Sequence, residues 1–563
     1  MTDAMPDSVD PISLEVRRNK LEMIAEEMSA NLIRSSYSPN IKERKDASCA
    51  VFTPDGELVA QADNVPGHLG AMPHSVRALI ENFGKDNIEE GDTVINNMPY
   101  ESGAGSHLPD ITMVTPVFFD GTRVGYVANL AHHADIGGSH PGSFASDNKN
   151  IFQEGLQIPP VKLYEDGKIV DDVLDMMLSN VRTVEEREGD LRAQFAANET
   201  GRTHLKEQAE DRGIDTLHDD FTAILDYSET RTRNSIADLP DGTYGFSDTM
   251  DDDGRGTTDI LIDADIRIDG NEITVDFSGT DEQVPGVINA PFSVTQATVY
   301  FVLRCTTDPG IPPNDGCYRP ITVNAAPGSV VNPKKPAAVA GGIETEQRIA
   351  DVLFGTLDKA GVKPVMAAAN GSMSTITFGG RGPDGQQYTY YETLGGGYGA
   401  RETKDGVHGI HAHLTNTLNT PVEVFEMSYP LRVEEYSLRA DTGGAGQYQG
   451  GMGIRRDVRV LDHEAEFSLM GERRRSHPYG LAGGNPGATG EDYIYSENEW
   501  EQIDAKTTCE LDPGDRVSIR TPGGGGYGNP EDRPKDKIHR DLADGRISQE
   551  YLRENYPHAD GSK

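Results

Sequence analysis

The chain has four cysteines, Cys49, Cys305, Cys317 and Cys509, and no two of them form a CxxC pair. That excludes a disulfide framework and a thiolate zinc site, leaving each as a small buried apolar residue. No apolar run approaches the roughly 20 residues needed to cross a bilayer. Met1 to Asp10 is acidic without an apolar core, so it does not read as a signal peptide, and the expected compartment is the cytoplasm. No GxxxxGK[ST] phosphate loop and no GxSxG elbow occur. The chain is therefore expected to lack an ATP site and a serine nucleophile of its own.

Positive charge is also scarce. Lys and Arg number 51 against 92 Asp and Glu, for a net charge of −41. No basic patch rises above that background, which argues against nucleic acid as a ligand. The acids are scattered and not gathered in a tail. Such a surface suits high salt, where screening relieves self-repulsion, so a halophilic source is expected. A specific cationic partner is the alternative.

Histidine is sparse too, at 15, yet His107, His132, His133 and His140 fall within 34 residues. His107-Leu108-Pro109-Asp110 opens an apolar run, Ile111 to Phe119. A turn at Asp120-Gly121 and a second run, Arg123 to Leu130, follow, and then His132-His133-Ala134-Asp135. The pattern predicts a hairpin, which returns its far end to its beginning. His107, Asp110 and His132 can then converge. Two imidazoles and a carboxylate suit a divalent metal with open positions, which polarises a carbonyl or activates a water. Neighbours in a strand face opposite ways, so only one of His132 and His133 can be a ligand. Asp135 is a candidate to orient a ligand imidazole.

Upstream, Leu14 to Ser36 carries an apolar stripe at helical spacing. Glu43 and Asp46 precede a strand at Cys49 to Phe52. They are either a solvated approach to it, or Asp46 is a second carboxylate for the metal. Asp63 to His74 reads as a Gly-, Pro- and His-rich loop, with His68 and His74 as spare ligands or simply exposed. A helix at Ser75 to Phe83 and a strand at Thr93 to Asn96 follow. Residues 145 to 235 read as mostly helical. Tyr244 to Phe277 alternates as strands, and helices are expected at Thr295 to Arg304 and Glu344 to Ala360. Beyond 365 the chain is strands and glycine.

Gly395 to Ala400 and Gly523 to Gly528 imitate dinucleotide fingerprints. Neither opens an apolar helix, so the nucleotide reading fails for both. Asp541 to Tyr556 reads as a short helix with Ser548 as N-cap. The expected fold is mixed α/β, multidomain and β-rich, with a glycine-rich β C-terminal half. The expected divisions are a metal-binding domain (1–145), a helical segment (146–240), an α/β domain (241–365) and a β-rich domain (366–563).

Several motifs in order resemble the hydantoinase B/oxoprolinase family. They are Glu26-Glu27-Met28 and Ser38-Pro39-Asn40-Ile41-Lys42-Glu43-Arg44; Asp46-Ala47-Ser48-Cys49; His68-Leu69-Gly70-Ala71-Met72-Pro73; His107-Leu108-Pro109-Asp110; and His132 to Gly138. Further on come Asp276 to Thr280, Thr415-Asn416-Thr417, Gly443 to Gly446 and Thr521 to Gly528. One departure is Asn97-Met98-Pro99, where the family often has Asn-Asp-Pro. The resemblance implies the metal-binding subunit of an ATP-dependent hydrolase of cyclic amides such as hydantoins, 5-oxoproline or lactams. It also implies a hydantoinase A-type ATPase partner that binds ATP in a hetero-oligomer. Related chains are alpha-type subunits of acetone and acetophenone carboxylases, which is the alternative. The implied ligands are Asp46, His107, Asp110 and His132, for Zn or Mn. Glu43, His133 and Asp135 are candidates for proton transfer.

Overall fold

A computed structural model describes residues 11–62, 65–100 and 105–560. The first helix, α1 (Pro11–Ser35), leads through a single turn, α2 (Pro39–Lys42), into a hairpin of β1 (Ala47–Phe52) and β2 (Leu58–Gln61). Helix α3 (His68–Phe83) and strand β3 (Thr93–Asn96) follow, then the long hairpin β4 (Asp110–Phe119) and β5 (Thr122–His132). Strands β6 (Val161–Glu165) and β7 (Lys168–Ile169) complete an antiparallel sheet of order β2-β1-β5-β4-β3-β6-β7. The expected hairpin is therefore present and pairs Asp110 with His132 in register.

β1 is buried along its whole length because both faces of the sheet are covered. Cys49 and Val51 point to one face, where α1 and α5 (Val184–Arg212) contribute Met28, Leu32, Ala193 and Ala197. Ala50 and Phe52 point to the other, against Val76 and Leu79 of α3. A strand sandwiched this way needs apolar residues at every position, not at alternate ones.

One expectation needs correction. The Gly-, Pro- and His-rich stretch is not loop throughout, since α3 begins at His68 and carries Pro73 inside it. Packing overrides propensity there: Ala71 and Met72 are buried in the sheet core, and Gly70 abuts Ala297 of another helix. Residues 145–235 are mostly helical, as expected, in α4 (Asp171–Leu178), α5 and α6 (Ile214–Ala237), with β6 and β7 joining the sheet ahead of them. Gly213, at φ +83°, separates α5 from α6.

A second sheet, of order β11-β10-β9-β8, is made of β8 (Gly242–Asp252), β9 (Thr258–Asp269), β10 (Glu272–Asp276) and β11 (Ile321–Asn324). Its inner face packs Ile260, Ile262, Ile266 and Ile268 against α7 (Phe292–Thr306) and, beyond the short turn α8 (Asp315–Tyr318), against α9 (Gly342–Lys359). Helix α9 is buried on every side from Gly342 to Leu357. The glycine-rich half holds two further sheets. One contains β12 (Thr375–Arg381) and β13 (Gln387–Glu392), and they enclose a core around Phe378, Phe467, Val458 and Ile519.

The two fingerprint-like runs meet backbone to backbone. A Cβ on Gly397 would lie 2.1 Å from the Gly451 carbonyl oxygen and 2.3 Å from the Gly524 amide nitrogen. Glycine is required there for close packing. The C-terminal region forms two short helices, Lys535–Ala543 and Gln549–Asn555, the second capped by Ser548 through the Tyr551 amide.

Candidate metal centre

Position along β5 decides which histidine enters the site. Tyr126, Ala128 and Leu130 face α3, whereas Val127 and Ala131 face α5. His132 continues the first set and His133 the second. His133 accordingly meets Gln194 of α5, with its Nε2 2.9 Å from Oε1. His132 turns to Asp110, its cross-strand partner, with Nδ1 3.2 Å from Oδ1. His107, in the turn before β4, brings its Nε2 to 2.9 Å from His132 Nδ1 and 3.3 Å from Asp110 Oδ1.

Three potential ligand atoms thus converge, all on residues at most 4 % exposed. Ligands about 2.0–2.2 Å from one ion stand roughly 2.8–3.6 Å apart in octahedral or tetrahedral geometry, so the separations of 2.9, 3.2 and 3.3 Å fit a single divalent ion. The donor set of two imidazoles and one carboxylate suits a divalent transition metal.

The surroundings fix these groups. Ser106 donates to Asp110 Oδ2 and lies 3.2 Å from His107 Nδ1. Asn40 donates to the His132 carbonyl at 2.7 Å, and the His132 amide donates to the Asp46 carbonyl at 3.1 Å. Tyr391 stacks on the His132 ring at 4.3 Å, and Phe144 meets His107 edge-on at 5.0 Å. Burial alone would raise the Asp110 pKa. The facing His107 and His132 imidazoles outweigh it and hold the carboxyl well below its ordinary value. Burial lowers the His132 pKa, opposed by Asp110 and Asp46, which favours the neutral ring that a metal requires.

Asp46 lines the same cavity but stands outside the cluster of three. The opposite wall comes from His68, from Ile343 and Glu346 of α9, from Thr393, and from Leu414, Thr415 and Thr417. The enclosed space is small, about 40 Å³. Burial, and then the nearby Asp110, push the Glu346 carboxyl well above its ordinary value. His68 contacts Ser48 Oγ through Nδ1 at 2.8 Å, and burial lowers its pKa.

The remaining sequence candidates are not brought to the cavity. Asp135 accepts from the Gly137 and Gly142 amides and pairs with Arg182 at 2.9 Å, so it pins a turn and orients no imidazole. Glu43 caps α2, half-buried, and does not line the cavity. His74 lines a different cavity. Sequence reasoning missed Glu346, Tyr391 and Thr393. The one local signal is the polar run Glu344 to Arg348 inside a helix with no solvated face.

Two buried histidines and one carboxylate at the root of an antiparallel hairpin thus form a cluster that could hold a metal ion. The chain belongs to the hydantoinase B/oxoprolinase family, whose model matches residues 10–530. An uncharacterised protein of Methanocaldococcus jannaschii is 42% identical over 96% of this chain and 94% of its own length. The 5-oxoprolinase 1 of Arabidopsis thaliana is 36% identical over 92% of this chain, which spans only 42% of that protein. The B-type subunit of a putative D-/L-hydantoinase of Pseudomonas sp. strain NS671 is 33% identical over 96% of this chain and 94% of its own length. Among solved structures, the ATP-dependent caprolactamase of Pseudomonas jessenii superposes with a TM-score of 0.92 at 31% identity, covering 99% of this chain and 98% of that one. A nucleotide-free acetone carboxylase shares the fold, with a TM-score of 0.87 at 19% identity over 97% of this chain and 79% of that one.

Proposed function

We propose that this chain is the metal-binding subunit of an ATP-dependent cyclic amide hydrolase, working with an A-type ATPase partner. The observation that carries the reading is the convergence of His107, Asp110 and His132 in a buried cavity, with no phosphate-loop motif in the chain. The names of the relatives support the reaction class. The hydantoinase relative is named as one subunit of a larger enzyme, and the 5-oxoprolinases are much longer than this chain; both support a partner.

His107, Asp110 and His132 would hold the ion, with Asp46, just before β1, as a further carboxylate lining the same cavity. When bound, the ion supplies a Lewis acid that polarises an oxygen or acidifies a water. The protein does the rest. Tyr391 and Phe144 fix the ligand rings by stacking. Ser106 and Asn40 lock their orientation, as outer partners of metal ligands do. The buried wall excludes bulk water. Glu346 and His68, and not Glu43, His133 or Asp135, are placed to exchange protons within the cavity. Activation of the amide by ATP belongs to the partner.

The test is co-expression with the partner and assay of ATP-dependent ring opening on hydantoins, lactams and 5-oxoproline. His107→Ala is expected to lose bound metal and at least about 10³-fold of ring opening, while the partner's ATPase persists. Full metal occupancy by elemental analysis together with normal turnover in that variant would refute the assignment. Consumption of acetone and bicarbonate in place of ring opening would move the chain to the carboxylase branch.

A further inference from the structure

The cavity wall is poor in positive charge. Among the described residues, no Lys or Arg lines it, whereas Asp46, Asp110 and Glu346 all do. One guanidinium lies directly behind the wall, on Arg44, which is 1 % exposed. Its carbon stands 5.0 Å from the centre of the Tyr391 ring.

That guanidinium is fully engaged. Nε donates to the Leu418 carbonyl at 3.3 Å. Nη1 donates to Asn40 Oδ1 and to the Tyr391 carbonyl at 3.3 Å. Nη2 donates to Thr393 Oγ1 at 2.7 Å and to Thr417 Oγ1 at 3.4 Å. A guanidinium has five N–H donors, and each of the five meets a protein acceptor. What the wall presents to a ligand is therefore the neutral hydroxyls of Thr393, Thr415 and Thr417 and the apolar surfaces of Ile343, Met373 and Leu414.

We infer that this site is selective for uncharged rings: cyclic amides or imides bearing no carboxylate, such as simple lactams and hydantoins, in preference to 5-oxoproline. The inference rests on the ring-opening reading above and sharpens its substrate. A substrate carboxylate buried here would lose its water, meet no cation of the wall and face the Asp46 and Asp110 carboxylates. The single divalent ion is its only counter-charge, and that ion is needed at the reacting amide. Hydroxyls, by contrast, satisfy a neutral carbonyl or N–H at little cost.

Matched pairs test it. With the metal-loaded chain, its ATPase partner and ATP, kcat/KM is measured for 5-oxoprolinamide against 5-oxoproline and for hydantoin against hydantoin-5-acetic acid. The two members of each pair differ chiefly in carrying a carboxylate. The neutral member is expected to win in both pairs by at least about 100-fold. Calorimetric titration of the metal-loaded chain with the same four compounds is expected to give the same order independently of turnover. Equal or better turnover of the acids overturns the neutral-ring inference and leaves the hydrolase reading standing. Failure of all four compounds to open with ATP overturns the hydrolase reading, and this inference with it.

Discussion

His132 and His133 differ only in the face of β5 they occupy, and one-residue parity places one in the cavity and the other against Gln194. Glu154 shows the same sensitivity of a side chain to its surroundings. It is fully buried, with Oε1 accepting from the Val339 and Ala340 amides at 2.8 and 2.9 Å. Oε2 has no partner among the described residues. Burial, only partly offset by those two amides, pushes its carboxyl from the ordinary 4.5 up to about 7. The folded chain therefore binds this proton more tightly than the unfolded chain does. Stability from the group is complete below pH 4.5, is lost as pH climbs to about 7, and is flat above that. Glu154→Gln keeps the Oε1 acceptor and cannot ionise. Relative to the parent, it is expected to gain on the order of 1–3 kcal/mol between pH 5 and pH 8. Denaturant titrations at the two pH values measure this, and a difference between variant and parent that does not change with pH would refute the buried-acid account.

At the scale of elements, two glycines make different demands. A Cβ on Gly70 of α3 would lie 2.6 Å from the Ala297 Cα and amide nitrogen, which are backbone of α7 and cannot yield locally. A Cβ on Gly201 of α5 would lie 2.2 Å from Met28 Sδ, part of a flexible side chain in α1. Gly70→Ala is expected to cost about 1–3 kcal/mol because two helices must separate. Gly201→Ala is expected to change stability by less than about 1 kcal/mol, since methionine repacks and alanine favours helix. Thermal melts of the two variants compare them, and equal losses would mean that the α3–α7 crossing is looser than its backbone contact implies. These crossings also mark the limit of what the sequence reveals. Helix α1, the β4–β5 hairpin and helix α9 are legible because their periodicity is local. The His107, Asp110 and His132 cluster is legible because a hairpin's register is local too. The start of α3 at His68 and the pairing of β6 with β3 are set by distant partners and leave no periodic trace. The same holds for the far wall of the cavity, where Glu346, Tyr391 and Thr417 come from three segments hundreds of residues beyond the hairpin.

For the whole molecule the governing quantity is a net charge of −41. If every Lys and Arg were paired, 92 acids against 51 bases would still leave 41 carboxylates uncompensated. Salt acts on this in two directions. It weakens exposed ion pairs, which are individually worth about 0–1 kcal/mol, and it screens repulsion among the surplus acids. Screening shortens from about 10 Å at 0.1 M to about 3 Å at 1 M, less than the spacing of most surface charges. The strongest pairs are out of salt's reach: Arg348 with Glu472 and Arg473 with Asp351 are at most 1 % exposed, and Arg456 with Glu392 is fully buried. Relief of repulsion therefore outweighs loss of attraction. Raising KCl from 0.1 to 2 M is expected to raise the melting temperature by about 5–15 °C, with most of the gain below 1 M, where screening changes fastest. Potassium sulfate adds a further rise by exclusion from the surface, so KCl is the discriminating salt. A melting temperature that stays level or falls across the KCl series would mean that the acidic surface is compensated by exposed pairs, and the high-salt reading of the composition would fail.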